Sequence, residues 1–117
     1  MKILIEDASI TGRKQLLNLI ADLDGVDIIG LARDTSKARE VAEVLHPDVA
    51  ILDVLGPTGL PEEIKKAHPA AKVIVLTNRP YAATDGDWQA DYYFDRSTES
   101  EKVVSVLRGM LRVMERP

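Results

Sequence analysis

Several side chains able to do chemistry stand directly after short apolar runs. Glu6 and Asp7 follow Ile3-Leu4-Ile5, Asp53 follows Val49-Ala50-Ile51-Leu52, Thr77 follows Val73-Ile74-Val75-Leu76, and Asp95-Arg96 follows Tyr92-Tyr93-Phe94. If those runs are strands of one parallel sheet, their carboxyl ends share a rim, the usual place for a site in an open α/β fold. With Asp95 set aside as pointing away, Glu6, Asp7 and Asp53 converge there with the Thr77 hydroxyl and the Arg96 guanidinium. Carboxylates so gathered repel one another and take up protons more readily unless a cation sits among them. Hard oxygen donors in small number suit Mg²⁺, which keeps several waters and needs few carboxylates. The arrangement fits phosphoryl handling. A metal and Arg96 would neutralise phosphoryl oxygens, Thr77 would donate a hydrogen bond, and an Asp could attack phosphorus. Any one polar strand end is what a wet loop supplies, but all of them together favour a site.

The elements that must position these residues are legible as an alternation. The three strongest apolar runs are continuous, as in strands covered by helices on both faces. A weaker strand is expected over 26–32, where Asp27 and Gly30 suggest an edge, and a short aromatic one at Tyr92-Tyr93-Phe94. Between them, Leu16, Leu17, Ile20 and Leu23 form a helical stripe after Ser9, a plausible N-cap, and Ala38, Val41, Ala42 and Leu45 form another. Pro61 before Glu62, Glu63, Lys65 and Lys66 marks a short helix with Pro at its start and charges matched to its dipole. The stretch 82–90 is the poorest helix, holding Thr84, Asp85, Gly86 and Asp87. The last and longest helix carries Val103, Leu107, Met110 and Met114, with Thr98 and Glu101 read as its capping box. His46-Pro47 and His68-Pro69 each close a helix, so both histidines read as C-terminal caps rather than ligands. The alternation implies a doubly wound, five-stranded parallel sheet in an α/β/α sandwich.

Composition narrows the function classes. At 117 residues, 45% hydrophobic and 29% charged, a single globular domain over 1–117 is expected. Nineteen acidic against 15 basic residues, a net charge of −4, argue against a nucleic-acid-binding surface. The sequence has no Cys, which excludes disulfide scaffolds, thiolate metal sites and thiol catalysis. Its apolar runs are far shorter than the roughly 20 residues of a membrane span. With no signal-peptide pattern, a cytoplasmic protein without membrane contact is expected.

Four segments in order, KILIEDASI, HPDVAILDVLGP, KVIVLTN and ADYYFDRST, are similar to the receiver domains of two-component response regulators, over essentially the whole chain. The resemblance implies a flavodoxin-like fold with strand order 2-1-3-4-5. It places the phosphoacceptor on Asp53, with Pro57 four residues later, and the family's hydroxyl on Thr77. It implies Mg²⁺ held by Glu6, Asp7, Asp53 and the Leu55 backbone carbonyl. A sensor histidine kinase or phosphotransfer protein would donate the phosphoryl group. Its arrival would shift Thr77 and the aromatic at Tyr93, and with them a face made by the predicted fourth helix, the fifth strand and the fifth helix. That face, including Tyr93 and Trp88, is expected to bind a downstream effector or a second copy of the chain. The only chemistry implied is self-phosphorylation and self-dephosphorylation.

Departures from the family pattern are specific. Arg96 stands where the family carries Lys, and Asn78 where it often has a small residue lining phosphoryl access. Asp53 to Thr77 spans 24 residues and Thr77 to Arg96 spans 19, so shortened third and fourth helices are expected. These features favour an alternative, a pseudo-receiver that binds partners without phosphorylation. A haloacid-dehalogenase-type phosphohydrolase would need a second Asp where Leu55 stands, and Ala8-Ser9-Ile10-Thr11-Gly12 is a thin phosphate cradle for a flavodoxin-like cofactor binder.

Overall fold

The computed structural model describes residues 1–54, 58–78 and 89–115. Five parallel strands, β1 (Lys2–Glu6), β2 (Asp27–Ala32), β3 (Val49–Asp53), β4 (Lys72–Thr77) and β5 (Tyr92–Asp95), form one sheet in the order β2-β1-β3-β4-β5. Four helices are described: α1 (Ile10–Ile20), α2 (Thr35–Leu45), α3 (Leu60–Ala67) and α4 (Lys102–Met114). This is the expected doubly wound, flavodoxin-like fold.

Strand alternation divides the core into two layers. Ile3, Ile5, Val49, Ile51, Ile74 and Leu76 pack with Leu16 and Ile20 of α1 and Val103 and Leu107 of α4. Leu4, Ala50, Leu52, Val73 and Val75 face the other way, against Ala38 and Ala42 of α2 and Leu60 and Ile64 of α3. Both faces of β1, β3 and β4 are therefore apolar, which is why their sequences do not alternate. Phe94 packs on the first layer and Tyr93 on the second, while Tyr92 stacks on Phe94. On edge strand β2 the register with β1 slips between Ile3 and Leu4. Gly30 lies there under Val41, and a Cβ on it would meet the valine Cγ1 at 2.8 Å.

The helix ends follow local chemistry. Ser9 caps α1 by accepting from the Gly12 N–H, and Asp34 caps α2 by accepting from the Lys37 N–H. His46 and His68 occupy the C-caps of α2 and α3, the first in the left-handed region at φ 48°. Pro61 stands in the first turn of α3, as expected.

Two local expectations need correction. Thr98 and Glu101 form no capping box, because α4 begins at Lys102 and Glu101 makes no side-chain cap bond. Asp95 has captured the turn instead. Its Oδ1 accepts from the Ser97 and Thr98 N–H groups, and the Glu99 carboxylate accepts from the Asp95 N–H. The stripes on α2 and α4 also run out early: Leu45 and Met114 are exposed. Of the stretch 82–90, only Gln89 and Ala90 lie within the described residues, and neither is helical.

Candidate functional site

Asp53 is the last residue of central strand β3, opposite Leu76 of β4. The next N–H, that of Val54, donates to the Leu76 carbonyl at 2.9 Å, so the ladder holds the chain straight up to the rim. Asp7 follows β1 directly. Its N–H donates to the Ala32 carbonyl at 2.9 Å and its Oδ1 accepts from the Ser9 N–H at 2.9 Å, turning the chain into α1. Arg13 closes this corner, its Nη1 donating to the Asp7 carbonyl at 2.6 Å. Thr77, the last residue of β4, is buried, and its carbonyl accepts from the Arg96 N–H at 2.8 Å.

Arg96 joins the carboxylates. Its Nε lies 3.0 Å from Asp53 Oδ2 and its Nη2 lies 3.3 Å from Asp7 Oδ2. The same Nη2 is 3.1 Å from the Gly12 carbonyl and 3.5 Å from Gln15 Oε1. Asp95 is occupied in the following turn, so Arg96 is the residue at this strand end that reaches the acidic pair.

Burial pushes the Asp53 carboxyl up to about 6, the neighbouring Asp7 charge adds to the rise, and Arg96 pulls against it. The Asp7 and Asp53 carboxylates are bridged by the one Arg96 guanidinium. Glu6 sits apart from this pair. It is buried, its carboxylate accepts from the Thr35 hydroxyl at 3.1 Å, and burial raises its pKa. Among the described residues no three acidic, His or Cys side chains stand as a ready group around a metal. Two close, mutually repelling carboxylates nevertheless fit Mg²⁺, which takes one or two such ligands and completes its shell with water.

The sequence brings Asp7, Asp53, Thr77 and Arg96 to one rim, with Glu6 turned toward α2. Leu55, Pro57 and Trp88 lie outside the described residues. Tyr93 is half-buried, and its hydroxyl accepts from the Ala90 N–H at 3.0 Å. Asn78 is exposed and its Oδ1 accepts from the Ser97 hydroxyl at 3.1 Å.

Thr35 escaped the reading of the sequence, and Gly12 entered it only as part of a thin phosphate cradle. A Cβ on Gly12 would come within 2.1 Å of Asp7 Oδ2, so α1 can approach the acidic pair only with glycine there. The available signal was a glycine, a poor helix former, placed inside the first turn of a helix that follows an acidic strand end.

No protein-family model matches this chain. It is 28% identical over 81 residues, 66% of its length, to the response regulator GacA of Pseudomonas syringae pv. syringae, of which it covers 38%. It is 37% identical over 82 residues, 67% of its length, to protein-glutamate methylesterase/protein-glutamine glutaminase 4 of Geobacter metallireducens, of which it covers 24%. The chain thus spans well under half the length of these curated relatives. In fold it is similar to the signal receiver domain of the response regulator NarL from Mycobacterium tuberculosis, with a TM-score of 0.76, 18% identity and 95% of each chain covered. Among the described residues no helix is long and apolar enough to cross a membrane.

Proposed function

From the premise that this chain is a receiver domain of the response-regulator kind, we propose that it is a phosphoacceptor signalling domain of a two-component phosphorelay, spanning 1–117. The observation that carries this reading is the Asp53 carboxylate at the end of the central strand, beside Asp7 and tethered to Arg96. In the proposed step an Asp53 carboxylate oxygen attacks phosphorus of a phosphohistidine on a sensor kinase or phosphotransfer protein. The O–P bond of an acyl phosphate forms as the N–P bond breaks, and the imidazole leaves with the bonding electrons. Thr77 donates a hydrogen bond to a phosphoryl oxygen and Arg96 offsets the growing negative charge. Asp7 and Asp53 would hold Mg²⁺, with Glu6 and the Leu55 carbonyl completing the set that the family resemblance implies. When bound, the metal supplies positive charge against the phosphoryl oxygens.

Acyl phosphate formation would move Thr77 and, through the neighbouring strand, Tyr93. The face made by 82–90, β5 and α4, with Trp88, would then bind an effector or a second copy of the chain. Beyond its own phosphorylation and dephosphorylation the domain would catalyse nothing, and it would act in the cytoplasm without contacting membrane or nucleic acid. The test is incubation with a small acyl phosphate donor, with and without Mg²⁺, followed by intact mass. A Mg²⁺-dependent, base-labile adduct on Asp53 supports the reading, and its absence favours the second one. That second reading, a pseudo-receiver working by partner binding alone, draws support from the two ion pairs that Arg96 already makes.

A further inference from the structure

The Arg96 side chain is only 12% exposed, and it lies between Asp7 at 5% and Asp53 at 14%. Its guanidinium engages Oδ2 of both carboxylates, together with the Gly12 carbonyl and Gln15 Oε1. We propose that Arg96 is the resident counter-ion of the acidic pair, and that a divalent cation binds only as the guanidinium leaves. This rests on the reading of Asp7 and Asp53 as metal ligands, and not on phosphoryl transfer to Asp53.

A metal ion and the guanidinium would compete for the same carboxylate oxygens. A Mg²⁺ ion approaches its ligands to about 2.0–2.1 Å and demands near-octahedral geometry with several waters retained. The Arg96 nitrogens stand 3.0 and 3.3 Å from the Oδ2 atoms of Asp53 and Asp7. Both cations cannot use those oxygens without lying against each other in a buried site, where their repulsion is poorly screened. A guanidinium is also unable to shed its charge, so deprotonation offers no way out. Its planar fork reaches two carboxylates at once, which a compact ammonium on a lysine stem does less well. The other two partners shape its departure. The Gly12 carbonyl is held within α1, whereas Gln15 is exposed, so the guanidinium's way out lies on the Gln15 side, toward solvent. The natural residue thus makes metal binding an exchange of one cation for another.

The test is a Mg²⁺ titration of the unphosphorylated full chain at pH 8 by calorimetry, for the natural protein and for Arg96→Gln and Arg96→Lys. Arg96→Gln is expected to bind about tenfold more tightly, with Arg96→Lys between the two. A difference under threefold overturns the proposal. A second measurement needs no variant: the Arg96 Nε–H signal in ¹⁵N NMR is expected to exchange slowly with water without metal and quickly at saturating Mg²⁺. A signal that stays protected at saturation overturns the proposal as well. Failure of Asp53 to accept phosphoryl, with Mg²⁺ binding tightened in Arg96→Gln, overturns the proposed function and leaves this inference standing. Absence of Mg²⁺ binding in all three proteins overturns this inference.

Discussion

Arg96 Nε lies 3.0 Å from Asp53 Oδ2, so the proposed phosphoacceptor already holds an ion-pair partner. A phosphoryl group arriving at Asp53 must displace or recruit that guanidinium. Lysine at this position would keep the charge while giving up the fork that spans two carboxylates. Arg96→Lys is therefore expected to be phosphorylated several-fold faster by a small acyl phosphate donor, read as the rate of adduct formation by mass. A natural protein as fast as the variant would show that arginine is a fully competent substitute.

The raised pKa of Asp53 makes a prediction about stability. Between about pH 4 and 6 the folded chain holds a proton on Asp53 that the unfolded chain has lost, so this group's contribution to stability falls as pH rises through that window. Asn at 53 has nothing to ionise. Asp53→Asn is expected to gain on the natural protein between pH 4 and 6 and to stay more stable by about 1–2 kcal/mol above it, after allowance for solvent screening at an open rim. Urea unfolding across that range checks the point, and a difference that does not change with pH would contradict it.

The close approach of α1 to the acidic pair predicts a cost at Gly12. A Cβ there would overlap Asp7 Oδ2 at 2.1 Å, so Gly12→Ala is expected to destabilise by about 1–3 kcal/mol despite the better helix propensity of alanine. The loss should shrink in the background of Asp7→Ala, which removes the clashing carboxylate, and the shortfall from additivity measures the contact. Thermal unfolding of the four proteins gives the answer.

His46 tests the structural assignment of the histidines. It closes α2 in the left-handed region at φ 48°, a conformation unfavourable for a residue with a Cβ. His46→Gly is expected to raise stability by about 0.5 kcal/mol, the relieved strain being partly offset by glycine's freedom in the unfolded chain. Its Mg²⁺ affinity and phosphorylation rate should be those of the natural protein, whereas a metal-ligating His46 would lose affinity.

Much of this fold was legible because three strands are buried on both faces and so read as unbroken apolar runs. Asp95 is set aside in the sequence in favour of Arg96, and in the fold the Arg96 guanidinium reaches Asp7 and Asp53. What escaped was set by competition or by close approach. Asp95 took the Thr98 N–H that the Glu101 carboxylate would accept in a capping box, and which of two carboxylates takes that N–H is set by the turn itself. Glu6 and Asp7 are adjacent, yet one carboxylate turned toward Thr35 and the other toward Asp53, because successive side chains of an extended segment point to opposite sides. Gly12 depends on where one carboxylate lies in space, which no spacing rule contains. Tyr93, read as a candidate contact residue, is half-buried with its hydroxyl engaged.

The most direct measurement is intact mass and peptide mapping of the natural chain and Asp53→Asn after treatment with a small acyl phosphate donor and Mg²⁺. Phosphoryl transfer to a carboxylate predicts one added phosphoryl group on the peptide containing Asp53, labile in base, dependent on Mg²⁺ and absent from Asp53→Asn. An equal adduct on Asp53→Asn, or no adduct on the natural chain at any Mg²⁺ concentration, would contradict it.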